Sequence, residues 1–201
     1  MNEAEIQLSL ARSPRFGSAL SYATTLHGDD TRKGTSVPYV SHLYSVASLV
    51  MEAEGTETEV IGALLHDAAE DKGIEILAEI RTRYGDEVAT IVEGCSDDTP
   101  AEGEPKKPWQ QRKDSYITHL KDASHSIRLV SNADKLHNAR SILRDYREMG
   151  DILWERFNSS REQTLWYYRA LADIFTSYPA NNYLADELNR VITELERLVQ
   201  N

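Results

Sequence analysis

Cysteine is nearly missing from this 201-residue chain: Cys95 stands alone, which excludes an intrachain disulfide and a thiolate cage for structural zinc. A lone thiol also fits a reducing compartment, so a cytoplasmic location is expected. Bases are scarce, with 22 Lys and Arg against 33 Asp and Glu and a net charge of −11. That balance argues against a broad nucleic-acid-binding face, and any anionic substrate has to be attracted locally. No apolar run approaches the ~20 residues that span a bilayer, and the first residues, Met1 to Glu5, carry acids where a leader peptide carries bases. Neither membrane insertion nor secretion is expected.

Short alternating strands are missing as well, whereas apolar residues recur at helical intervals from end to end. The expected fold is all-α, a single domain over 1–201 built as a bundle of roughly eight to ten helices, long enough to fold without a structural metal. Ser13-Pro14, a cap followed by proline, opens a helix over 13–27, and Ser36-Val37-Pro38 opens one to about 53. Further helices are expected over 57–71, 74–83, 85–95, 109–123, 125–149, 152–175 and 181–200. The segment 28–37 reads as a polar loop, and 96–108, with Pro100, Pro105 and Pro108, as a mobile surface loop.

Buried carboxylates and imidazoles cost several kcal/mol unless paired, hydrogen-bonded or bound to metal, so the polar residues on apolar helices are informative. His42, His66, Asp67 and Asp134 are the four. A lone histidine on an apolar face is usually a satisfied core residue, but four such groups from three segments make coincidence unattractive. Two imidazoles and two carboxylates form a nitrogen/oxygen donor set suited to Mn²⁺, Fe²⁺ or another divalent ion with open positions. Glu70 lies four residues after His66 and Asn138 four after Asp134, so each is expected on the face of a candidate ligand. Glu70 is the first choice for taking a proton from an attacking water, and Asp71 for orienting that water or protonating the leaving oxygen. His137, three residues after Asp134, is an alternative ligand.

These residues fall into ordered blocks: His27-Gly28 with Arg32-Lys33-Gly34, Pro38-Tyr39-Val40-Ser41-His42, Ala63-Leu64-Leu65-His66-Asp67 with Glu70-Asp71, and Ala133-Asp134-Lys135-Leu136-His137-Asn138. Over about 19–168 the chain resembles the HD-domain phosphohydrolases, and more narrowly the hydrolase domain of RelA/SpoT homologues in its stand-alone form, the small alarmone hydrolases. The resemblance implies hydrolysis of the 3′-pyrophosphate of guanosine tetra- or pentaphosphate, dependent on one Mn²⁺ ion. It assigns metal binding to His42, His66, Asp67 and Asp134, and handling of water and phosphate to Glu70 and Asp71. It assigns base contacts to Arg32 and Lys33, a position near the scissile group to Asn138, and nucleotide or phosphate contacts to Arg161 and Tyr168.

Leu43 and Asn132 depart from the proline and leucine usual in the family, and the substantial glycine- and proline-containing segment 96–108 is a third departure, one that can alter the pocket rim and with it the choice of base. The partner is expected to be a purine nucleotide with a 3′-pyrophosphate, handled by a monomer or homodimer without a synthetase or regulatory domain. The rival readings are hydrolysis of the adenine counterpart, a general HD nucleotide or NADPH phosphatase, and a non-catalytic nucleotide-binding domain. Lys106, Lys107, Arg112 and Lys113 around Trp109 read either as a lid or, preferably, as a solvated charge run. Trp166 and Tyr167 are expected in the core.

Overall fold

The computed structural model describes Leu10 and residues 12–98, 105–178 and 183–200. Four of its helices begin where a serine or threonine side chain satisfies orphan N–H groups of the first turn. Ser13 caps α1 (Pro14–His27) by accepting from the Arg15 and Phe16 amides. After α2 (Val40–Glu52), a reciprocal Thr56/Glu59 capping box starts α3 (Glu57–Leu65). Then come α4 (Ala68–Lys72), α5 (Ile76–Tyr84), α6 (Asp86–Cys95), α7 (Trp109–Asp122) and α8 (His125–Met149), the last capped by Ser124. A 3₁₀ turn (Gly150–Arg156), α9 (Arg161–Thr176) and α10 (Tyr183–Val199) follow. The all-α expectation holds: among the described residues the one β feature is the bridge Thr31↔Pro38, which pinches the loop between α1 and α2.

The 25-residue α8 is the axis, packed by α2, α3, α6, α9 and α10. Its residues Val130, Ala133, Leu136 and Ala139 are fully buried among Leu43, Val46, Ile61, Leu64, Leu171 and Leu188. Gly94 lets α6 approach α8 closely, since a Cβ there would meet Ile127 Cδ1 at 2.5 Å. Glu59, buried at the start of α3, accepts from Ser126 Oγ at 2.8 Å and ties that helix to the beginning of α8.

Local expectations needed correction in several places. The helix expected over 57–71 is two, interrupted at His66 and Asp67. His66 Nδ1 takes the Ala63 carbonyl at 2.7 Å, the acceptor that the Asp67 amide would use in a continuous helix. The helix expected over 152–175 is a 3₁₀ turn and a separate α9, because a Ser160/Gln163 capping box restarts the chain. The basic run is not simply solvated: Arg112 Nη1 lies 2.7 Å from the buried Asp97 carboxylate, which also pairs with Lys113. Tyr167 is core as expected, but Trp166 is 40% exposed against the edge of Trp109. Residues 1–9, 99–104 of the surface loop, and 181–182 of the last expected helix lie outside the described residues.

Candidate metal centre and nucleotide pocket

Three elements deliver the candidate ligands: α2 carries His42, the break between α3 and α4 carries His66 and Asp67, and α8 carries Asp134. Adjacent residues of a regular helix do not face one point, so the break is what lets His66 and Asp67 turn to the same centre. His42, His66 and Asp134 offer donor atoms all within 4.8 Å of one another. Asp67 Oδ2 joins them, 3.0 Å from His66 Nε2 and 3.4 Å from His42 Nε2. Asp134 Oδ1 lies 3.2 Å from His42 Nε2 and 3.6 Å from His66 Nε2.

Both Nε2 atoms are buried without a hydrogen-bond partner, although carboxylate oxygens surround them. Buried polar atoms rarely stay unpaired, and lone pairs converging with carboxylates on one point fit a divalent cation. His66 is held for that role, because its Nδ1–H donates to Ala63 and leaves Nε2 bare. His42 Nδ1 faces His137 Nδ1 at 2.8 Å. One of the two must donate, so a ligating His42 Nε2 requires the proton on His42 Nδ1 and a neutral, accepting His137. Burial, His42 and Arg32 push the His137 pKa down to about 3, consistent with that acceptor role. His137 thus faces His42 from the side away from the other candidate ligands and is not among the three residues whose donor atoms converge.

Lys135 Nζ binds Asp134 Oδ2 at 2.6 Å, and Asn138 Nδ2 donates to Oδ1 at 2.5 Å. Burial opposes the charge on Asp134, but Lys135 and the two imidazoles hold its carboxyl well below the usual range. Tyr39 Oη donates to Asp67 Oδ2 at 2.6 Å. Glu70 and Asp71 sit on α4, beyond the break, so the four-residue spacing from His66 does not set their direction. Lys106 Nζ lies 3.1 Å from Glu70. Burial and the charges of Asp67 and Glu70 raise the Asp71 carboxyl to about 6. The buried His27, bonded to Asp30 and stacked on Tyr39, reaches within 4.0 Å of Asp71.

A cavity of about 390 Å³ opens beside His137 and Asn138. Arg32, Lys33 and Tyr168, three of the residues for which the resemblance implies substrate contacts, line it, and Arg32 Nη2 donates to Asn138 Oδ1 at 2.6 Å. Arg161 does not line it; its guanidinium instead lies 3.0 Å from Glu162 and 3.7 Å from Asp151. Sequence reasoning missed Tyr39, Lys135, Arg144 and Arg156, of which Tyr39 and the two arginines also line the cavity. For Tyr39 and Lys135 the available signal was their place inside the ordered blocks; for the two arginines there was none.

The HD domain family matches residues 19–158. The guanosine-3′,5′-bis(diphosphate) 3′-pyrophosphohydrolase MESH1 of Danio rerio is 34% identical over 128 residues, covering 62% of this chain and 67% of that protein. A guanosine-3′,5′-bis(diphosphate) 3′-pyrophosphohydrolase of Aquifex aeolicus (strain VF5) is 28% identical over 189 residues, 92% of this chain but 25% of its own length. A solved structure of a metazoan SpoT orthologue, described as hydrolysing ppGpp, superposes with a TM-score of 0.73 at 25% identity. That superposition covers 93% of this chain and 97% of the other.

Proposed function

The chain belongs to the HD domain family, and on that premise we propose that it hydrolyses the 3′-pyrophosphate of guanosine tetra- or pentaphosphate, releasing pyrophosphate and GDP or GTP. The observation that carries this reading is the convergence of His42, His66, Asp67 and Asp134 beside a cavity lined by arginine and lysine. Those four side chains would hold a divalent ion; mixed imidazole and carboxylate donors suit manganese, iron or another such ion, and the resemblance to the small alarmone hydrolases is what favours manganese. The ion would supply Lewis acidity toward the phosphate oxygens and lower the pKa of water at the site.

The chain's own groups account for the remaining chemistry. Water adds to the phosphorus attached to the 3′-oxygen, and the bond from that phosphorus to the 3′-oxygen breaks. Glu70 takes the water's proton, and Asp71 gives one to the departing 3′-oxygen; a carboxyl raised to about 6 carries a proton closer to neutrality than an ordinary aspartate. Asn138 links Asp134 to Arg32 and so couples the metal ligands to the nucleotide-facing wall. Arg32 and Lys33 contact the base, where a planar guanidinium can stack on a purine. The same reading includes a cytoplasmic setting; among the described residues no helix is long and apolar enough to cross a membrane.

A product assay tests the proposal. Purified protein with Mn²⁺ is given guanosine and adenosine 3′-pyrophosphates, simple nucleotides and NADPH, and the products are separated. Pyrophosphate released from guanosine tetraphosphate is the expected result. Orthophosphate from several nucleotides, or binding without turnover, would overturn it. Asp67→Ala is expected to lower turnover by more than ~100-fold through loss of a metal ligand.

A further inference from the structure

Beyond Asn138 the cavity follows one face of α8. Asp134, Asn138, Ser141 and Asp145 recur at helical spacing, and the last three line the cavity wall. From Asp134 to Asp145 the helix rises about 16 Å, some three turns. Two arginines meet at that far end on one carboxylate. Arg144 reaches Asp145 Oδ1 through Nε at 2.9 Å and Nη2 at 2.8 Å, and Arg156 Nη1 lies 3.3 Å from Oδ2.

Arg156 arrives from the 3₁₀ turn by crossing Gly34, whose φ of +72° turns the loop and whose missing Cβ would come 3.2 Å from Arg156 Cδ. With Arg32 and Lys33, four cations line this cavity against one carboxylate, in a chain whose net charge is −11. Asp145 spans the two guanidiniums but cannot neutralise both. Each keeps N–H donors beyond those used on Asp145, arranged in the planar fork that suits phosphate oxygens.

We propose that Arg144, Asp145 and Arg156 form a second anion subsite, which takes the 5′-phosphate chain of the nucleotide whose 3′-pyrophosphate meets the metal ligands. A nucleotide phosphorylated at both positions carries its anionic groups on opposite sides of the ribose; here the candidate cation site lies one helical turn beyond Asn138 at one end of the cavity, and the arginine pair lines the other end. The metal ligands take one group and the arginine pair the other. Asp145 is the positioning residue that aims both guanidiniums into the cavity. The assignment of the two ends rests on the proposed function, and it makes the 5′-phosphates a determinant of substrate choice.

Calorimetric binding of GDP, GMP and guanosine tests the subsite without any turnover. GDP is expected to bind at least about tenfold more tightly than guanosine, the worth of one or two charge-assisted hydrogen bonds. Arg156→Gln and the more exposed Arg144→Gln are each expected to weaken GDP by about tenfold while leaving guanosine within about twofold. In turnover of guanosine tetraphosphate, KM should rise with kcat nearly kept, because neither arginine touches the reacting atoms. Equal binding of GDP and guanosine, equal weakening of both by the variants, or a fall in kcat at constant KM would each overturn the subsite. A clear GDP preference without pyrophosphate release would leave the subsite standing and sink the hydrolase reading instead.

Discussion

Lys135→Met removes one half of a buried ion pair while keeping a side chain of similar length beside the Tyr116 ring. Lys135 and Asp134 are 2.6 Å apart with side chains 15% and 6% exposed. Burial opposes charge on both, yet each holds the other in its charged form: Asp134 raises the ammonium pKa, and Lys135 lowers that of the carboxyl. Breaking such a pair strands a buried carboxylate, at a cost of about 3–5 kcal/mol in chelator. For a domain of this size that corresponds to a Tm lower by about 6–20 °C. A divalent ion at about 100 times its Kd returns about 2.7 kcal/mol to the wild type. The stranded Asp134 should bind the ion more tightly, so the variant gains more and the gap narrows. Urea unfolding of both proteins in EDTA and in Mn²⁺ reads these quantities directly. A chelator-treated variant within about 1 kcal/mol of wild type, or a gap unchanged by Mn²⁺, refutes the reasoning.

The proposed acid role of Asp71 requires its protonated form, which is present below about pH 6 and lost above it. The kcat profile should fall as pH rises through that value, and Asp71→Asn should remove this limb while lowering kcat by about 10²–10⁴-fold. His137→Phe deletes the acceptor facing His42 Nδ1, and chelator competition should show divalent affinity lower by about 10–100-fold, with His137→Gln recovering part of it. Gly94→Ala places a methyl 2.5 Å from Ile127 Cδ1, a clash expected to cost about 1–3 kcal/mol in chemical denaturation. Adding Ile127→Val should restore part of that loss.

Much of the framework was legible because helix starts are local chemistry. Ser13-Pro14 marks the beginning of α1 within about one residue, and α8 begins at residue 125, where apolar spacing places it. Apolar spacing predicts one helix over 152–175 where a 3₁₀ turn and α9 stand, because spacing does not register the capping box at Ser160 and Gln163 that restarts the chain. The four candidate ligands were visible as polar residues interrupting apolar runs, a pattern that needs a partner or an ion. Arg144 and Arg156 carried no such mark, since an arginine on a polar stretch looks the same whether it faces solvent or a cavity.

Composition and periodicity alone determined an all-helical chain, its inward-facing sides and which polar groups those sides carry, because burial and capping act over a few residues. Convergence belonged to the tertiary structure. Only the interruption after Leu65 turns His66 and Asp67 toward one point, and only the packing of α2 against α8 brings His42 to Asp134 and stacks His137 behind it. Likewise, only the fold of the 3₁₀ turn over Gly34 carries Arg156 to Asp145. The physical reason is range: a contact is decided within a few ångströms, and His42 and Asp134, 92 positions apart, or Gly34 and Arg156, 122 apart, reach that distance through packing that no local pattern records.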